Sequence, residues 1–143
     1  MSHNGRSRSE VAVARRYLEH GFLDVAMRIF VRNVAQVSSD DWQLLVDRLL
    51  ERGRIAEVVA TCSTGGIPLP RRELLALGDD RLHARDVDGA MHYYEVAGAD
   101  QQRWSDLLDL LVRLPARELQ AVAVAERHLV PASVGPMPLA ASA

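Results

Sequence analysis

The sequence contains no lysine and a single cysteine, Cys62, among its 143 residues. An internal disulfide is therefore excluded, and so is the lysine-dependent loop that binds nucleotide phosphates. No apolar run approaches the about 20 residues that cross a bilayer, and residues 1–9 are polar and basic. We therefore expect a cytoplasmic protein with no membrane partner. All 17 basic residues are arginine, a bias typical of GC-rich genomes, so we expect a bacterial source.

The overall balance of residues is that of an ordinary folded domain. Hydrophobic residues make up 48% of the chain, charged residues 25%, and the formal net charge is −2. This apolar fraction is enough for a packed core and argues against wholesale disorder. The sequence pI of about 6.2 argues against a nucleic-acid partner, because binding along a phosphate backbone needs a continuous basic face.

Apolar residues recur at three- and four-residue steps, which predicts helices throughout and no sheet. Glycine, serine and proline residues break this pattern at short intervals and leave room for eight short helices. The predicted spans are 9–20, 23–36, 40–52, 55–63, 70–84, 87–98, 100–113 and 116–129. We expect an all-α helical domain over residues 9–130, with residues 1–8 as a flexible arm and 131–143 as a flexible tail.

The chain is also internally repetitive. Taking Ala14, Val46, Gly78 and Leu108 as equivalent gives steps of 32, 32 and 30 residues, each long enough for two short helices. The predicted units are 9–37, 40–63, 70–98 and 100–130. A longer connector over residues 62–69 separates the first pair of units from the second.

This pattern resembles the tetratricopeptide repeat. The resemblance rests on Leu77–Gly78 with Ala90-x3-Tyr94, and on Ala14-x2-Tyr17 with Ala26-x3-Phe30. It implies a right-handed α-solenoid of about four antiparallel helix hairpins. The sequence departs from the family pattern at several positions: Glu10, Val58, Cys62 and Arg81.

Small residues alternate with large ones at the repeated positions. Small side chains on the two helices of a hairpin let their backbones approach, while large neighbours fill the flanking space. The predicted small positions are Ala14, Ala26, Gly78 and Ala90, and the predicted filling side chains are Tyr17, Phe30, Leu49 and Tyr94. Cys62 replaces a packed aromatic residue in this frame, which predicts a buried thiol.

The resemblance also implies a concave groove lined by the first helix of each hairpin. Asp47, Asp79 and Asp109 occupy one repeated position, so a stack would align their carboxylates. The predicted function is a non-catalytic adaptor or scaffold that binds a basic or amphipathic segment of another protein in this groove. A solvated helix face is the alternative. The predicted groove residues are Gln43, Asp47, Leu50, Glu51, Leu75, Asp79, Leu82, His83, Asp109, Val112 and Arg113.

An enzymatic role has weaker support. Asp79 and His83 stand one helical turn apart with Asp86 nearby, a spacing that can present metal ligands in a small metal-dependent enzyme or regulatory subunit. No second cluster of ligands accompanies them, so an Asp–His surface pair is the simpler interpretation. We predict no catalytic residues, no cofactor and no metal.

The last predicted helix is apolar on more than one side, although terminal repeats usually have a polar outer face. This predicts that Val124 and its neighbours are covered by the tail, by a second copy, or by a larger partner. Docking of a structural subunit through this helix, and a homo-oligomer, therefore stay open as alternatives.

Overall fold

The computed structural model describes residues 3–129. These residues form eight α-helices and one short 3-10 helix, with no β-strand among them, which confirms the all-α prediction. The helices are α1 (His3–Glu19), α2 (Leu23–Arg32), α3 (Ser39–Glu51), α4 (Ile55–Gly65), α5 (Arg71–His83), α6 (Val87–Ala97), α7 (Gln101–Leu111) and α8 (Glu118–His128), and the 3-10 helix is Val34–Gln36.

Two boundaries near the N-terminus differ from the prediction. Helix α1 begins at His3, so residues 3–8, predicted as an arm, are helical because no proline interrupts the segment that Val11 anchors on the core. Helix α2 ends at Arg32 rather than at residue 36. The Asn33 side chain donates to the carbonyl of Ile29 at 2.8 Å, occupying the acceptor that a continuing α-helix gives to the backbone of residue 33. The predicted tail, 131–143, lies outside the described residues.

The chain divides into two compact units, residues 1–69 and 70–143. Each unit holds two helical hairpins, which are α1–α2 and α3–α4 in the first unit and α5–α6 and α7–α8 in the second. We number these hairpins one to four. The division falls at the end of the predicted connector, although α4 itself extends through Gly65. The right-handed arrangement implied by the resemblance stays a prediction.

The connections of all four hairpins share one backbone feature. One residue between the two helices has a positive φ in each of them, and these residues are Gly21 (86°), Gly53 (68°), Arg85 (62°) and Ala116 (60°). Side chains rarely adopt this left-handed region, because their Cβ crowds the backbone there. Its occurrence at matching places shows that the repeat seen in the sequence is also a repeat of the backbone.

The first unit encloses one core cluster drawn from all four of its helices. Fully buried members include Ala14, Ala26 and Phe30 from hairpin one, and Leu45 and Leu49 from hairpin two. The rings of Phe30 and Trp42 meet edge to face, with centroids 5.6 Å apart. Cys62 is 5% exposed, which confirms the predicted buried thiol, and burial raises the pKa of that thiol.

The second unit repeats this packing. Tyr94 and Trp104 hold the positions of Phe30 and Trp42, and their rings meet in the same edge-to-face way at 5.7 Å. A Cβ on Gly78 would lie only 2.5 Å from the Tyr94 ring, so that ring requires glycine there. The predicted fit of small against large residues is therefore confirmed at this contact.

One prediction about large apolar side chains is wrong. Tyr17 was expected to fill space between helices, but it is 41% exposed and meets Phe22 edge to face. Val124 is covered, as predicted, with only 3% of its surface exposed, and the identity of the cover stays a prediction. The apolar surface of α8 that remains exposed is instead formed by Leu119 (88%) and Val122 (53%).

Candidate partner-binding cleft

The second unit contains an open cleft of about 390 Å³ between α5 and α7. Helix α5 provides one wall, the N-terminal half of α7 the other, and the buried ring of Tyr94 contributes from α6. The lining residues are Asp79, Leu82, His83, Tyr94, Asp100, Gln102, Arg103 and Asp106.

Asp79 and Arg103 form the central contact of this cleft. Nε of Arg103 donates to Oδ1 of Asp79 at 3.0 Å, and Nη2 donates to Oδ2 at 3.0 Å, so the two planar groups meet side by side. The Tyr94 hydroxyl donates to the same Oδ1 at 2.6 Å. On its other side, Nη1 of Arg103 donates to Asp100 at 2.7 Å. One arginine thus joins two carboxylates into a fixed network.

The network sets the charge of each member. Burial acts to raise the pKa of Asp79, but the hydrogen bonds from Arg103 and Tyr94 outweigh it and lower that pKa below the ordinary value. The hydrogen bond from Arg103 likewise lowers the pKa of Asp100. Burial and the bond to Asp79 raise the pKa of Tyr94, which keeps its hydroxyl protonated as a donor. Both carboxylates are therefore ionised at neutral pH.

Three carboxylates line this cleft and only one guanidinium does, so its lining is acidic overall. The third carboxylate, Asp106, accepts a hydrogen bond from Gln102 at 2.9 Å and is exposed. A carboxylate offers about four lone-pair sites, so Asp100 and Asp106 each keep acceptor capacity after these bonds. Leu82 adds a half-buried apolar contact beside them.

The first unit has a matching ion pair with its charges exchanged. Nε and Nη2 of Arg15 on α1 donate to the two oxygens of Asp41 on α3, both at 2.7 Å. Residues 15 and 79 are equivalent in the repeat, and so are residues 41 and 103. The aromatic residue at position 94 follows the same exchange. Tyr94 donates its hydroxyl to the carboxylate of Asp79, whereas the equivalent residue of the first unit is Phe30, which has no donor. The hydrogen bond from Arg15 is the largest cause of the lowered pKa of Asp41, and it outweighs burial, which acts to raise that pKa.

The predicted groove residues of the second unit separate into three groups. Asp79, Leu82 and His83 line the cleft as expected. Leu75 is only 6% exposed and belongs to the core, because its position is that of the buried Val11. Three others are exposed but do not line the cleft: Asp109, Val112 and Arg113.

The polar groove residues predicted in the first unit bond to neighbours on their own helix, α3. Gln43 donates to Asp47 at 3.0 Å, and Arg48 contacts Glu51 at 3.4 Å. Leu50 is half-buried against the core cluster. The alignment of Asp47 with Asp79 and Asp109 stays a prediction.

Five residues that complete the cleft were not predicted from the sequence: Tyr94, Asp100, Gln102, Arg103 and Asp106. The repeat itself held the signal for one of them. In the repeat, Arg103 occupies the position of Asp41, and Asp79 occupies the position of Arg15. The first unit pairs Arg15 with Asp41, and the second unit pairs the same two positions with the charges exchanged. Opposite charges at paired repeat positions therefore pointed to both ion pairs.

The three residues considered as metal ligands turn to different partners. The carboxylate of Asp79 faces Arg103, while Nδ1 of His83 lies 3.0 Å from the backbone carbonyl of Asp79. Asp86 accepts from the Gly89 amide at 3.0 Å and caps α6. Within residues 3–129 no group of three or more His, Cys, Asp or Glu side chains is arranged to hold a metal ion.

In the same range, no helix combines the length and the apolar character that a bilayer crossing requires. Comparisons of the chain with protein-family models, with curated proteins and with solved structures find no match.

Proposed function

We propose that this chain is a non-catalytic adaptor whose α5–α7 cleft binds a partner segment that carries arginine or lysine. The supporting observation is the unequal charge of the cleft, in which Asp79, Asp100 and Asp106 accompany Arg103 alone. A complementary cationic side chain gains from this excess of negative charge. The tetratricopeptide resemblance supports the same role, because that family binds segments of other proteins.

The carboxylates have different parts in this proposal. Asp79 is saturated by Arg103 and Tyr94, so it fixes the position of α7 rather than meeting the partner. Asp100 and Asp106 are exposed and meet the cationic side chains. Because Arg103 holds Asp100 in place, little side-chain freedom is lost there on binding.

The expected affinity is modest. Exposed ion pairs contribute about 0.2–1 kcal/mol each, so contacts to two carboxylates supply no more than about 2 kcal/mol. Apolar contact with Leu82 must provide the rest, which suits an amphipathic segment rather than a purely basic one. Since salt screens exposed pairs, binding should weaken as ionic strength rises.

Calorimetric titration with an amphipathic helical peptide that presents alternating arginine and leucine tests this proposal. The double variant Asp100→Asn, Asp106→Asn should weaken peptide binding about tenfold at low salt, in keeping with the loss of about 1–2 kcal/mol. It should also flatten the salt dependence.

The matched control is Asp80→Asn, because Asp80 is an exposed carboxylate of α5 that does not line the cleft. This control should bind like the unaltered chain. Equal weakening in both variants would show that only net charge matters, and undiminished binding by the double variant would refute the role of the cleft.

A further inference from the structure

Exposed apolar side chains of the described residues are concentrated on two faces of the terminal hairpins. Seven of the ten large ones lie there. Four belong to hairpin one and form what we call the rear face: Val13 (48% exposed), Tyr17 (41%), Phe22 (58%) and Val25 (37%). Three belong to hairpin four and form the front face: Val112 (65%), Leu119 (88%) and Val122 (53%).

Two residues of the rear face, Val13 and Tyr17, lie on the first helix of hairpin one. The residues at the same repeat positions in hairpins two and four are buried. Val13 and Tyr17 correspond in the repeat to Leu45 and Leu49. Both leucines are fully buried in the cluster that joins hairpin two to hairpin one. Their counterparts in hairpin four, Leu107 and Leu111, are also fully buried. Val13 and Tyr17 therefore lie where a hairpin packs against the hairpin before it.

The one turn residue of the rear face, Phe22, supports the same conclusion. Phe22 corresponds to Arg54, whose guanidinium reaches back to Asp24 on hairpin one. In the second unit Arg117 holds this position and reaches back to Asp88 at 3.1 Å.

The front face has the complementary positions. Leu119 corresponds to Asp24 and Asp88, the two acids that accept the arginine of the following hairpin. Val122 corresponds to Met27 and Met91, and Val112 to the fully buried Leu18. At the two ends of the chain, the Asp–Arg pair that joins hairpins within a unit is thus replaced by leucine on one face and phenylalanine on the other.

We propose that copies of this chain associate head to tail, with the front face of one copy against the rear face of the next. In this register Leu119 lies opposite Phe22, so an apolar contact takes the place of the Asp–Arg pair. The faces also complement each other in charge, because Arg16 lines a 340 Å³ hollow of the rear face. Glu126 lies on the front side of α8, one turn beyond Val122.

An apolar rear face is not a general requirement of these hairpins. In hairpin three the positions of Tyr17 and Phe22 are taken by Arg81 and Asp86, which form an exposed ion pair at 3.5 Å. The hairpin fold alone therefore does not explain why hairpin one has the apolar residues Tyr17 and Phe22 at these positions. A contact between two different faces leaves one face free at each end of the assembly, so growth continues unless a ring closes.

Sedimentation of the full chain as a function of concentration tests the proposal. The average mass should rise above the 15.8 kDa of one copy as protein concentration increases. Tyr17→Glu places a charge in the rear face, and Val122→Glu places one in the front face. Each substitution should weaken association at least about tenfold. The matched control is Val31→Glu, because Val31 is 51% exposed on hairpin one but lies outside both faces.

Mixing the two blocked variants is the decisive measurement. The Tyr17→Glu chain keeps its front face and the Val122→Glu chain keeps its rear face, so the mixture should form pairs of twice the monomer mass and grow no further. Circular dichroism first establishes that each variant is folded, and Phe22→Glu replaces Tyr17→Glu if that variant is not.

Three results would overturn the proposal. One is an unaltered chain that stays monomeric at every concentration, as expected if residues 130–143 or a different protein cover the front face. Another is association that both variants leave intact. The third is a mixture that stays monomeric although the unaltered chain associates. None of these readouts involves the α5–α7 cleft, so they are independent of the proposed function.

Discussion

Exchanging the charges of the second unit's ion pair tests whether the two units use the same positions for the same purpose. Asp79→Arg alone would place two guanidinium groups together and leave the buried Tyr94 hydroxyl without its acceptor. The stranded hydroxyl costs about 1–3 kcal/mol, and the lost pair, which is one-third exposed and screened by solvent, adds about 1 kcal/mol. We therefore expect the free energy of unfolding to fall by about 2–4 kcal/mol.

The first unit shows how the exchanged arrangement is satisfied. It combines an arginine with a phenylalanine, an aspartate and a serine cap, and Ser38 accepts from the Asp41 amide at 3.2 Å. A variant of the second unit can copy all four. Its substitutions are Asp79→Arg, Tyr94→Phe, Asp100→Ser and Arg103→Asp. This fourfold variant should recover stability to within about 1 kcal/mol of the unaltered chain, because each buried group again has a partner.

Urea unfolding followed through the indole N–H NMR signals measures both effects, with Trp104 as the reporter of the second unit and Trp42 as that of the first. Since the unfolding free energy falls by about 1–3 kcal/mol for each molar of urea, the single variant should lower the midpoint reported by Trp104 by about 1 M or more. The Trp42 midpoint serves as the internal reference. A fourfold variant no more stable than Asp79→Arg would refute the equivalence of the two pairs.

Three further predictions concern backbone, packing and pH. Arg85→Gly should raise the unfolding free energy by about 0.5–1 kcal/mol, measured by thermal melting, since Arg85 has a φ of 62° that glycine adopts without strain. Gly78→Ala should lower it by about 1–3 kcal/mol, because the new Cβ would meet the Tyr94 ring at 2.5 Å, and an unchanged midpoint would contradict that contact. The lowered pKa values of Asp41 and Asp79 mean that their pairs stabilise the fold above about pH 4 and lose this contribution as pH falls through the folded-state values. Urea midpoints between about pH 6 and pH 3 should therefore decline, and less steeply in Asp41→Asn, whereas equal slopes would argue against the pair.

The helices and most of their ends were predictable because they depend on local signals. Ser38 and Asp86 hold their side chains over the first amides of the helices that follow, and Gly66 and Gly98 end α4 and α6 in the left-handed region. Each of these residues acts on a neighbour within a few positions, so the sequence displays the signal directly. The end of α2 was missed because it depends on Asn33 also donating to Glu10, 23 residues away.

The cleft could be predicted only in part, because its walls are assembled by long-range contacts. Asp79 was recognised from its repeated position, but its partner lies 24 residues further on, on the next first helix. Periodicity identifies which residues share a helix face; it does not say which charges across two helices meet. The exposure of Tyr17 was missed for a related reason: a repeated position is buried only where another hairpin lies against it.

The claim that the α5–α7 cleft binds a cationic segment is tested most directly by chemical-shift mapping on the isotope-labelled full chain. Titration with the arginine–leucine peptide should shift the amide signals of Leu82, His83 and Asp106, and the Arg103 Nε–H signal, in proportion to occupancy. The signals of the first unit around Arg15 and Asp41 should stay in place at low peptide concentration. Shifts confined to the first unit, or none in the cleft at peptide concentrations that bind by calorimetry, would contradict the account.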